Sequence, residues 1–152
     1  MKFRIRGLEA GQFSHLFALS DAELAAHGAL RKAADGPHPC RTSLTDATPG
    51  DEVILVNYEH HAVASPYRMR FAIYVRKGED TFDAVGRVPD QLRRRTLAVR
   101  GFDGKGMITG CELVEGIWLE DAIERQFADA STRYLHIHFA AAGCYAARVE
   151  RA

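Results

Sequence analysis

The chain has 152 residues, 47% hydrophobic and 26% charged, with 20 Lys and Arg balanced by 20 Asp and Glu. That predicts one globular domain over residues 1–152 with an ordinary core. It excludes intrinsic disorder, which needs low hydrophobicity and high net charge, and general nucleic acid binding, which needs excess basic residues. No apolar run approaches the ~18 residues of a membrane helix, so no membrane partner is expected. Cys40, Cys111 and Cys144 lack a framework spacing and read as free thiols of a reducing, cytoplasmic compartment. One disulfide plus one free thiol remains open.

In chain order, residues 1–7 alternate basic Lys2, Arg4 and Arg6 with apolar Phe3 and Ile5, the pattern of a half-buried strand. A signal peptide would instead continue into an apolar stretch. Phe13, Leu16 and Phe17 are spaced as one or two helical turns. Ser20 and Glu23 form a capping box with Leu19 and Leu24 at the staple positions, so a short helix starts there and stops at Gly28. Val53 to Val56 are apolar on both faces and predict a central strand, ended by the polar group Asn57, Tyr58, Glu59, His60 and His61. A second strand follows Pro66 with period two, and the two form a hairpin looped near residues 61 to 66.

Pro89 opens a helical turn through Leu92. Residues 96–102 and 107–114 flank an Asp103-Gly104 turn as a further hairpin, with Cys111 in the core. Trp118, Leu119, Ala122, Ile123 and Phe127 give an apolar helix face over about 117–128, with an Asp121/Arg125 charge pair. Residues 134–139 and 144–150 form the last hairpin. Hairpins dominate, so the fold class is α+β: a mainly antiparallel sheet with two or three helices packed on it.

Charge is uneven along the chain. Residues 87–105 hold six basic and two acidic side chains, and residues 109–130 hold six acidic and one basic. Such stretches are solvated or neutralise each other in the fold, or they give a self-complementary surface for a homodimer.

His136 and His138 share one face of a strand, about 6.5–7 Å apart at Cα, close enough for both to ligate one divalent transition metal. Glu59, His60, His61 and Cys144 are the candidates for a third ligand. The competing reading is a plain polar outer face. Cys144 is a candidate nucleophile if a base or cation lies near it. A three-residue hairpin loop makes Cys144 and His138 diagonal neighbours; a four-residue loop turns Cys144 to the other face. Sequence leaves both open. Asn57, Glu59 and His60 end a rigid strand and are candidates to line a cleft. Arg41, Arg68, Arg70 and Arg148 are candidate clamps for a small anionic ligand, because guanidinium matches carboxylate and phosphate forks. Phosphate-binding glycine loops, Cys-x-x-Cys and His-Glu-x-x-His are absent.

The segments FRIRGL (3–8), FALSDAEL (17–24), PCRTSL (39–44), ILVNYEHH (54–61), SPYRMRFAIYVR (65–76) and YLHIHFAAAGCYAARV (134–149) together resemble the bacterial family called domain of unknown function 1203 (DUF1203). The resemblance implies a small single-domain bacterial protein and brings no activity, cofactor or catalytic residue. Two functions are therefore expected. The first is a small-molecule binding protein or small enzyme with a pocket formed by Asn57, Glu59, His60, His136, His138 and Cys144, and Arg68 and Arg148 beside it. There His136 or His138 is the base and Cys144 the nucleophile, or His136 and His138 hold a metal. The second is a non-catalytic interaction protein, a homodimer or accessory subunit.

Overall fold

The computed structural model describes all 152 residues. In chain order it contains β1 (Phe3–Arg6), α1 (Asp21–Ala26), β2 (Ala29–Ala33), β3 (Glu52–His61), β4 (Met69–Arg76) and β5 (Asp83–Val85). Then follow α2 (Asp90–Arg93), β6 (Thr96–Phe102), β7 (Ile108–Glu115), α3 (Leu119–Ala128), β8 (Tyr134–Phe139) and β9 (Tyr145–Arg151). Short 3-10 turns occupy Ala10–Gln12, Ser14–Ala18 and Gly116–Trp118. The class is α+β with antiparallel pairing between all named strands, in two sheets rather than one. Six strands run β5-β1-β9-β8-β6-β7, and three run β2-β3-β4.

One face of the large sheet carries Leu97, Val99, Leu135, Ile137 and Val149, packed with Leu119, Ile123 and Phe127 of α3 and with Leu92 of α2. The apolar period of α3 thus does what its spacing implies: it covers a sheet face. Ile54, Val56, Ile73 and Val75 of the small sheet pack on Phe13, Leu16 and Leu24, around α1 and the turns before it. The capping box forms as its residues dictate, with the Glu23 amide donating to the Ser20 hydroxyl at 3.2 Å and the Ser20 amide to the Glu23 carboxylate at 2.7 Å.

Several local expectations change. Strand β3 does not stop at Val56 but runs through the polar group to His61, with a register shift between Tyr58 and His61. Trp118 is exposed rather than on the buried helix face, because a 3-10 turn precedes α3 and breaks the α-helical spacing. Arg125 pairs with Glu112 at 2.9 Å instead of with Asp121. Cys111 is exposed, since β7 is an edge strand. Strands β2 and β5 escape the sequence reading: β2 mixes Arg31 and Lys32 with its apolar residues, and β5 has three residues. The charged stretches meet in part within the chain, through Arg93 and Glu120.

Residues 39–44 tie the two sheets together. The Leu8 amide donates to the Arg41 carbonyl at 2.8 Å, the Phe82 amide to the Thr42 carbonyl at 2.9 Å, and the Arg41 amide to the Tyr74 carbonyl at 3.0 Å. Gly7 lets this segment come close: a Cβ there would lie 2.1 Å from the Thr42 carbonyl oxygen. The crossing segment thereby carries Arg41 between the sheets.

Candidate functional site

The last hairpin decides where the candidate residues go. Its loop has four residues, Ala140 to Gly143. Gly143 takes a left-handed φ of 78° and donates to the Phe139 carbonyl at 2.8 Å. The Phe139 amide in turn donates to the Cys144 carbonyl at 2.9 Å, and His138 pairs with Tyr145. Cys144 therefore shares the face of Phe139, opposite to that of His138. Ala146 is then a one-residue bulge, after which Ile137 pairs with Ala147 and His136 with Arg148. The bulge restores the register, so Arg148 still stands opposite His136. Cys144 and His138 are not a nucleophile–base pair in this arrangement.

The histidine face of β8 is buried, not an open outer face: His136 is 2% exposed and His138 1%. The polar end of β3 covers it. The His60 ring lies 5.3 Å from the His138 ring and 6.2 Å from the His136 ring, and the His61 ring lies 4.9 Å from that of His136. The structure thus brings His60, His136 and His138 together and adds His61. Tyr145 stacks on His60 at 5.1 Å.

Burial pushes the pKa of His60 down to about 4 and that of His138 down to about 3, and drives that of His136 well below its usual value. These three rings are neutral at pH 7. The Nδ1–H of His61 donates to the Tyr67 carbonyl at 2.8 Å, which leaves Nε2 to accept from the Tyr134 hydroxyl at 2.7 Å. The Nδ1–H of His138 donates to the Gly143 carbonyl at 2.9 Å. Nδ1 of His60 and Nδ1 of His136 are buried without a partner. No group of three His, Cys, Asp or Glu side chains is arranged to hold a metal ion, and no cavity is lined by a histidine. The rings are a packed polar layer that joins the small sheet to the large one.

Cys144 faces a different place. Beyond the end of β8, a cavity of about 500 Å³ opens between the sheets. Its walls are mainly apolar and include Leu55, Phe71, Tyr74, Phe139 and the alanines 140–142. Its polar groups are few: Arg41, Arg95, Thr96 and the Cys144 thiol. That is the usual composition of a small-molecule site, an apolar hollow with a few placed polar groups. Arg41 is 2% exposed. Its Nε donates to the Tyr145 carbonyl at 2.8 Å and its Nη1 to the Pro39 carbonyl. Its guanidinium carbon stands 4.9 Å from the centre of the Phe139 ring, and that of Arg95 stands 5.2 Å from it. Arg95 is paired with Asp46 at 3.0 Å. Arg41 has no carboxylate partner, and burial pushes its pKa down.

The remaining candidates lie elsewhere. Asn57 is exposed and accepts from Arg70, while Glu59 pairs with Arg68 at 2.8 Å, a surface network along the β3–β4 hairpin. Arg148 stacks over the Tyr134 ring at 4.0 Å and pairs with Glu150 at 2.7 Å. The sequence names Arg41 only as one clamp among four. Its neighbours Pro39 and Pro37 mark a loop, and nothing local shows that Tyr145, 104 positions away, will bury it.

The family described as Protein of unknown function (DUF1203) matches residues 37–151. Four of the six segments singled out in the sequence fall inside that span; residues 3–8 and 17–24 lie before it. Neither the curated proteins nor the solved structures gave a match.

Proposed function

The chain belongs to the DUF1203 family, whose description carries no activity, and we propose from its own residues that it is a small-molecule binding protein with its ligand in the Cys144 cavity. The observation that carries this reading is the cavity itself. It has about 500 Å³ of space, apolar walls and a few convergent polar groups at the junction of two sheets. Binding is preferred to catalysis because Cys144 and His138 point to opposite faces, so the thiol has the Arg41 cation beside it but no base to take its proton. A cytoplasmic location belongs to the same proposal, supported by three unpaired thiols.

Nile red, a neutral apolar dye, tests the cavity. Saturable binding is expected for the wild type and its loss for Ala72→Phe, because Ala72 of β4 is part of the cavity wall and a ring there fills the hollow. An Ala72→Phe variant that folds and binds the dye as well as the wild type rejects this site.

A second reading, self-association, is favoured by one observation. Leu113 on the edge strand β7 is exposed, as are Ile117 and Trp118 in the turn after it. Dilution followed by sedimentation tests it: a mass that stays monomeric at high concentration removes this reading.

A further inference from the structure

We infer that the ligand of this cavity is an organic monoanion, a carboxylate with an apolar body, and that Arg41 is its counter-ion. The inference rests on the cavity reading above and adds the charge. Arg41 is a buried guanidinium with no carboxylate partner, and the acidic groups beside it are the Cys144 and Cys40 thiols. Guanidinium stays protonated in proteins, so the charge is present. Burying an unpaired ion remains costly even after the surroundings relax. Two backbone carbonyls and the Phe139 ring offset part of that cost, but none of them carries a negative charge.

The charge count sets the valence. Arg41 and Arg95 contribute two positive charges, and Asp46 cancels that of Arg95. No Asp or Glu lines the cavity. One uncompensated positive charge is left, which suits one carboxylate. A dianionic phosphate would leave a negative charge stranded among apolar walls. Nε and Nη1 are held by the Tyr145 and Pro39 carbonyls, and the Cys144 thiol is the side chain that meets the guanidinium. The guanidinium is therefore pre-oriented, and a carboxylate in the cavity would meet it beside the Cys144 thiol. Leu55, Phe71, Tyr74 and Phe139 surround the remaining volume and would cover an alkyl or aryl body.

Equilibrium dialysis of the full chain near neutral pH against radiolabelled octanoate, octanol and octylamine tests the inference. One octanoate per chain is expected. It should bind about tenfold or more tightly than octanol, the ratio that a charge-assisted hydrogen bond supplies, and octylamine should bind weakest. Arg41→Gln is expected to bring octanoate down to the level of octanol. If Arg41→Gln does not fold, the three-ligand comparison on the wild type decides alone. Octanol or octylamine binding as tightly as octanoate overturns the inference and leaves the cavity reading standing. Binding of none of the three, together with no Nile red binding, overturns both.

Discussion

The guanidinium of Arg41 lies over the ring of Phe139, 4.9 Å from its centre, although the two residues are 98 positions apart in the chain. The Phe139 ring also receives Arg95, at 5.2 Å. One aromatic ring therefore meets two cations beside one cavity. Phe139→Leu keeps an apolar side chain but removes the π face. It is expected to lower stability by about 1–2 kcal/mol, the worth of a desolvated cation–π contact, and to weaken octanoate binding. Urea denaturation and dialysis measure the two effects. Unchanged values for both would mean that the ring does not help to hold Arg41.

The histidine layer makes stability depend on pH. His60 and His138 have folded-state values of about 4 and about 3, against 6.5 for a free histidine, and His136 is shifted in the same direction. Below pH 6.5 the unfolded chain takes up protons that the folded chain refuses. Stability contributed by these groups is therefore full above pH 6.5 and falls as the pH drops toward 4. For His138 alone the loss between neutral pH and pH 5 is about 2 kcal/mol. Urea midpoints from pH 7.5 down to pH 4.5 check this, with His138→Gln flattening the slope. A wild-type midpoint that rises on acidification contradicts the buried neutral layer.

The three thiols are expected to react in a fixed order. Cys111 is exposed on an edge strand and reacts first. Cys144 is buried but lines the cavity, and it follows. Cys40 is fully buried, and burial pushes its pKa up to about 12, so it reacts last. Peptide mass spectrometry after iodoacetamide treatment reads all three at once. Saturating octanoate should slow Cys144 and leave Cys111 alone. Cys40 reacting as fast as Cys111 would contradict the packing of residues 39–44.

Gly7→Ala tests the crossing segment that carries Arg41. The added methyl would lie 2.1 Å from the Thr42 carbonyl oxygen and 2.9 Å from that of Arg41. Backbone on both sides must shift, with an expected cost of about 3 kcal/mol. Thermal unfolding measures it, and a variant as stable as the wild type would show that this segment yields freely.

Much of the fold is legible in the chain. Ser20 and Glu23 announce α1, the period of Leu119, Ala122, Ile123 and Phe127 announces α3, and alternation announces the β8–β9 hairpin. The division into two sheets is not legible, because strand periods report burial and not which strand lies beside which. The His136/His138 face is visible from period two, but its burial depends on His60 and His61, 75 or more positions earlier. The position of Cys144 turns on one loop residue and one bulge, and either choice fits the local sequence. Arg41 looks like any loop arginine until Tyr145, Pro39 and Phe139 surround it.

The assignment of Arg41 as counter-ion to a carboxylate can be read at its own side chain. The Nε–H of Arg41 is held by the Tyr145 carbonyl at 2.8 Å and is buried, so it should give a protected resonance in a nitrogen–proton correlation spectrum. Titration with octanoate should move that resonance in step with the bound fraction, while octanol at the same occupancy leaves it in place. Octanoate that binds the chain without moving the Arg41 resonance would contradict the account.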